Sequence, residues 1–149
     1  MTPPDTSAGG VQAFGGCPLC GRPAEGVLWA GSRCRVVAVE QSGYSGYCRV
    51  IWNDHVAEMT DLPVMDRNYL MGVVWTVEQV LREMTGAHKI NLASLGNYVP
   101  HLHWHVIPRF SDDRHFPEPI WGEPRRPGTD HPVDRARLRE VLKLRLVAG

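Results

Sequence analysis

The chain has 149 residues, with 16 Lys+Arg balanced by 16 Asp+Glu and a formal net charge of +0 when histidine is neutral. This length suits one domain with its own core. The balanced charge excludes a protein that coats nucleic acid, whose affinity needs a basic surface, and no apolar run approaches the ~20 residues of a membrane span.

Residues 1–16 are rich in Pro, Ser, Thr and Gly and lack the charged and apolar regions of a signal peptide. They read as a flexible leader before a single domain over residues 17–149. With no export signal, the four cysteines are expected to be reduced thiols and the protein cytoplasmic.

Gly16-Cys17-Pro18-Leu19-Cys20-Gly21 has the form of a knuckle, two cysteines about a tight turn. Three short apolar runs follow, Val27–Ala30, Cys34–Glu40 and Tyr47–Asn53, and read as antiparallel strands. Asp61-Leu62-Pro63 marks a helix start. From there Tyr69, Val73, Val77, Val80, Leu81 and Met84 keep helical spacing up to Gly86. Ile90–Leu95 resumes strand character. Ser111–Pro132 is crowded with proline, glycine and charge and predicts an ordered surface loop, its aromatics Phe116 and Trp121 docked on something. A basic amphipathic helix should run from Asp134 to about Val147. The fold class is α+β, a mainly antiparallel sheet of about five strands covered by a central and a C-terminal helix.

The most informative stretch is His101-Leu102-His103-Trp104-His105-Val106-Ile107. Strict alternation predicts a half-buried strand, with Leu102, Trp104 and Val106 in the core and three imidazoles in a row on the other face. Such a row suits a nucleophile, whose second nitrogen must carry a proton that a backbone carbonyl can hold. It also suits a metal site or an inert polar sheet face. Alternation alone leaves these readings open, though three imidazoles on one straight strand do not converge easily on a single ion.

The run matches the motif His-φ-His-φ-His-φ-φ (φ, apolar) and so resembles the histidine-triad (HIT) family. Trp52-Asn53-Asp54-His55 through Asp61-Leu62 is similar to the family's approach to its central helix. The likeness spans Cys17 to Trp121 and is nearest the bacterial diadenosine-tetraphosphate-hydrolase-like branch, with Phe116 to Gly122 as its aromatic, Pro-rich tail. The resemblance implies a nucleotide hydrolase or nucleotidyl transferase, often a homodimer, that cleaves at the α-phosphate of a nucleoside phosphoramidate or dinucleoside polyphosphate. In it His103 would be the nucleophile, forming a covalent nucleotidyl-histidine, and His105 would contact the same phosphate and assist the leaving group. Glu40 would hold the ribose hydroxyls, and Asn91 and Asn97 would donate to phosphate or leaving group. Ordinary hydrogen bonding at strand ends accounts equally well for these last three. A nucleotide-binding module without turnover is the alternative from another functional class.

Cys17 and Cys20 have the spacing of half a zinc site, and no second C-x-x-C exists. Cys34 and Cys48 sit among apolar neighbours and read as buried small hydrophobes. The missing ligands should therefore be His55 and His101, giving a closed, structural site, an arrangement the family resemblance supports. A redox pair or a knuckle without metal are the competing readings. Elsewhere, His88 and His131 should be solvated and His115 a surface loop residue. Trp29, Trp52 and Trp75 should be core, and Trp121 should close over a ligand or a partner. Arg125-Arg126 and the arginines of the last helix should form a solvated face.

Overall fold

The structure, a computed structural model, describes residues 16–146. The expected leader therefore lies, apart from Gly16, outside the described residues, as does Val147. Five strands form one antiparallel sheet: β1 (Val27–Ala30), β2 (Cys34–Ala38), β3 (Cys48–Trp52), β4 (Lys89–Ala93) and β5 (His103–Arg109). Their order across the sheet is β1-β2-β3-β5-β4, so β5 is central and β4 is an edge. Helix α1 (Val64–Thr85) connects β3 to β4, and α2 (Arg135–Arg145) closes the described chain. The fold is α+β, as the residue pattern predicts.

Each strand alternates between two environments. Val36, Val50, Leu102 and Val106 face the helices and share one core with Leu70, Val74, Val77 and Leu81 of α1 and Leu138 and Leu142 of α2. A short 3-10 turn, Met59–Asp61, leads into α1, where the Glu58 and Asp61 side chains cap each other's backbone amides. Pro63 is the N-cap, and its fixed φ suits the entry. Gly86 ends the helix at φ 62°, a left-handed conformation that glycine adopts without a side-chain penalty. Asp134 caps α2 by accepting from the Arg137 amide.

Two expectations need correction. Trp29 and Trp52 are core, but Trp75 lies on the outward side of α1 and is 57% exposed. Helical spacing alone does not say which stripe is buried, and here Val73, Val74 and Val77 take that role. The triad strand also starts later than alternation suggests. β5 begins at His103, and His101 belongs to the bend before it, where the Leu102 amide donates to the Val56 carbonyl at 2.8 Å.

Burial of the α1–sheet seam makes a direct prediction. Leu81→Ala should cost about 2–5 kcal/mol of stability through lost transfer energy and an unfilled cavity. Leu144→Ala, at a site 86% exposed, should change it by about 0.5 kcal/mol or less. Urea denaturation of both variants measures the difference.

Candidate functional site

The sheet face turned away from the helices carries the chemistry. On β5 it presents His103, His105, Ile107 and Arg109. Register places Ile51 of β3 opposite His103, Arg49 opposite His105, and Ala93 of β4 opposite His105 from the other side. His103 and His105 are 7% and 5% exposed, and their rings meet edge to face at 4.9 Å.

His103 Nδ1 lies 2.5 Å from the His101 carbonyl oxygen. An acceptor at that position fixes the proton on Nδ1 and leaves Nε2 with a lone pair. Burial lowers the pKa of His103, which favours the neutral ring. The strand start is held by the Ser94 hydroxyl, which donates to the His103 carbonyl at 2.8 Å. A pocket of about 290 Å³ opens beside His103, bordered by Met59, Ser94, Leu95, Gly96 and Trp104. His105 Nδ1 lies 2.6 Å from the Tyr47 hydroxyl, and the Trp121 indole abuts the His105 ring at 5.0 Å. Burial, with the nearby His103 and Arg49 adding to it, pushes the pKa of His105 down to about 4.

His101 does not stand in the row. It is fully buried and turned towards the knuckle. Its Nε2 is 2.6 Å from the Trp52 carbonyl oxygen, which takes the proton there and leaves Nδ1 as the ligand-capable nitrogen. That Nδ1 lies 3.5 Å from both Cys17 Sγ and Cys20 Sγ, and His55 Nδ1 lies 3.3 Å from Cys20 Sγ. The ligand atoms of Cys17, Cys20, His55 and His101 all fall within 4.8 Å of one another. Tetrahedral zinc bonded to sulfur and nitrogen at ordinary lengths sets S···N edges of about 3.5 Å. The donor set fits that ion. Arg35, 4% exposed on β2, supports the knuckle from below by donating to the Leu19 carbonyl at 2.5 Å and to Asn53 Oδ1 at 3.0 Å. The four cysteines are thiols rather than disulfides. Cys34 and Cys48 are buried, and burial pushes each thiol up to about 12.

Of the remaining expected site residues, Glu40 and Asn91 are engaged elsewhere. Glu40 is exposed and pairs with Arg135 of α2 at 2.5 Å, and this bond holds its carboxyl below the usual range. Asn91 accepts from Arg109 Nη1 at 2.8 Å. Asn97 is exposed in the loop between β4 and β5. His88 is exposed, whereas His131 is partly covered by Phe110, with ring centroids 3.7 Å apart.

His115 is not the surface residue expected. It is 6% exposed and 2.6 Å from the Tyr44 hydroxyl. It belongs to a buried network in which Arg109 donates to both Asp113 oxygens, at 2.8 and 3.0 Å. The same arginine also donates to the Glu118 carbonyl at 2.7 Å. Burial alone would raise the Asp113 pKa. The Arg109 bond and the amides of Phe110, His115 and Phe116 outweigh that and hold it well below the carboxylate range. This network orders the 110–126 loop and so sets Trp121 against His105. Loop composition concealed it, because a charge in such a stretch usually faces water. Tyr47 and Arg49 were also missed, although they alternate with the core residues Cys48 and Val50 and so had to face the triad side.

A family model for the HIT domain matches residues 25–112, more than half of the sequence. The chain belongs to the HIT domain family. Solved HIT structures agree with its fold. A histidine triad protein from Marinobacter aquaeolei is 25% identical, with a TM-score of 0.69 over 87% of this chain and 98% of that one. One from Bradyrhizobium japonicum is 26% identical, with a TM-score of 0.66 over 81% and 91%. A Zn-bound histidine triad family protein from Mycobacterium smegmatis shares the fold at 20% identity and TM-score 0.57, covering 85% of this chain and 86% of its own. No curated protein sequence matches the chain. Among the described residues, no helix is long and apolar enough to cross a membrane.

The depressed pKa of His105 predicts a pH effect. Between about 4 and 6.5 the unfolded chain binds a proton that the folded one refuses, so stability rises with pH across this window. The contribution is complete above about 6.5 and is lost as pH falls towards about 4. Thermal melts across that range should show this fall, and His105→Gln should make it shallower.

Proposed function

We propose that this HIT protein is a nucleotide hydrolase or nucleotidyl transferase in which His103 attacks the α-phosphate. The observation that carries the reading is the His103 Nδ1 bond to the His101 carbonyl at 2.5 Å, which leaves Nε2 available in a ring kept neutral by burial. Nε2 bonds to phosphorus as the bond to the leaving group breaks, and water then displaces the nucleotidyl group from His103. With the Tyr47 hydroxyl donating to its Nδ1, His105 presents an Nε2–H to a phosphate oxygen. Dinucleoside polyphosphates and nucleoside phosphoramidates are the substrate classes, in keeping with the diadenosine-tetraphosphate-hydrolase-like branch. Glu40, Asn91 and Asn97 stay candidates for substrate contacts only after leaving their present partners or, for Asn97, after its loop closes.

Zinc is the ion we assign to Cys17, Cys20, His55 and His101, from the fit of the donor set and the Zn-bound relative. Its chemistry is structural: four protein ligands leave no open position, and it would tie the knuckle to the bend that sets His103. Two copies are proposed to pair through the edge strand β4 and the neighbouring α1, which exposes Val64, Met65 and Trp75.

Wild type mixed with α-labelled adenine nucleotide and quenched in base should retain a base-stable, acid-labile label. His103→Ala should lose the label and about 10⁴-fold or more in turnover; full hydrolysis by that variant would rule the mechanism out. Nucleotide that raises the melting temperature without any product would mark a binding module instead. Metal analysis should find one zinc per chain, and Cys20→Ser should lose it together with several degrees of melting temperature. Immediate loss of activity on adding chelator, with the fold intact, would argue against a structural ion.

A further inference from the structure

Among the described residues, Arg49 on the triad face has no carboxylate partner. Arg49 sits on β3 directly opposite His105 in the register. It is half-buried, and its Nε is buried without a hydrogen-bond partner. Among the described residues, the other cations of this face are bonded to oxygens, Lys89 to the Ile90 carbonyl. Arg109 is paired with Asp113, and Arg35 is spent on the Leu19 carbonyl and Asn53. The Arg49 guanidinium carbon stands 6.0 Å from the centre of the Tyr47 ring, the residue bonded to His105. Burial keeps the His105 ring neutral, and the Arg49 charge adds to that effect. A cation fixed opposite His105, with a buried, unpartnered Nε and no anion of its own, is an arrangement that an anionic ligand completes.

We propose that Arg49 is a specificity-determining residue of this site, holding the phosphate next beyond the one that His103 attacks. The inference rests on the nucleotide reading given above. When the leaving group is a phosphate, His103 Nε2 bonds to phosphorus and the bond from phosphorus to the bridging oxygen breaks. The electron pair departs on that oxygen as an anion that needs no proton, and a guanidinium can bind it through two parallel N–H bonds. When the leaving group is an amine, the breaking P–N bond must be met by a proton, and Arg49 has no anion to receive. His105, held mostly neutral at pH 7, is better suited to the first case than to the second.

The test uses the full-length protein and two readouts. Calorimetry of AMP and ADP shows whether the second phosphate is read without turnover. Wild type should bind ADP more tightly, and Arg49→Gln should shrink the ADP-to-AMP affinity ratio by about tenfold. Arg49→Lys, which keeps a point charge but not the fork, should restore part of it. In kinetics, the ratio of kcat/KM for diadenosine tetraphosphate over adenosine phosphoramidate should fall about 10–100-fold in Arg49→Gln. An unchanged pair of ratios in a variant that melts like wild type overturns the assignment. If wild type cleaves neither substrate but its ADP preference still depends on Arg49, the hydrolase reading fails and this one stands. Should Arg49→Gln not fold, Arg49→Lys decides by the same ADP-to-AMP ratio, a several-fold fall supporting the assignment and no change refuting it.

Discussion

The bend at His101 is the constraint from which the site follows. One residue makes three commitments there. Its carbonyl takes the His103 Nδ1 proton, its Nε2 proton goes to the Trp52 carbonyl, and its Nδ1 joins the two cysteines and His55. None of the three can be changed alone. Rotating the ring to serve the triad row would break the bond to Trp52 and remove one member of the four-residue donor cluster. Moving the carbonyl would free the tautomer of His103. The cost of burying a histidine fully is met by these bonds.

This explains why alternation predicts the two faces of the strand but misses where the strand starts. The period-two pattern identified which residues face the core, and Leu102 and Val106 are there. It assumed a regular strand through residue 101. The Leu102 amide instead bonds to Val56, a long-range contact that no local pattern contains. The four-ligand cluster was legible by another route. A C-x-x-C leaves two positions of a tetrahedron to fill, and His55 and His101 were the histidines placed at a strand end and a strand start. By contrast, Glu40 was placed by analogy of position alone. The structure gives it Arg135, which lies 95 residues away in sequence, so nothing around Glu40 could have revealed that partner.

The two sides of the sheet are stabilised by different physics. The helix face is a dry core of aliphatic side chains, where contact area dominates. The triad face is ordered by directed bonds from buried polar groups. Arg109 spends its donors on Asp113, Asn91 and the Glu118 carbonyl, while Asp113 collects backbone amides from its own loop. A buried ion pair satisfied in this way adds little net stability over an apolar pair, but losing one partner strands a charge. What it contributes is a definite shape for a loop whose composition would otherwise leave it free.

That shape matters because Trp121 is the one large aromatic of the loop that lies against a triad ring while remaining half exposed. The rings flanking His105 are therefore positioned from two sources. Tyr47 comes from β3 and is fixed by strand register, and Trp121 comes from a loop fixed by the Arg109–Asp113 pair. Arg49 shares the strand of Tyr47 and hence its rigidity. Register sets its Cα opposite His105 whether or not a ligand is bound, so whatever selectivity it confers comes from a charge already in place and not from a closing motion.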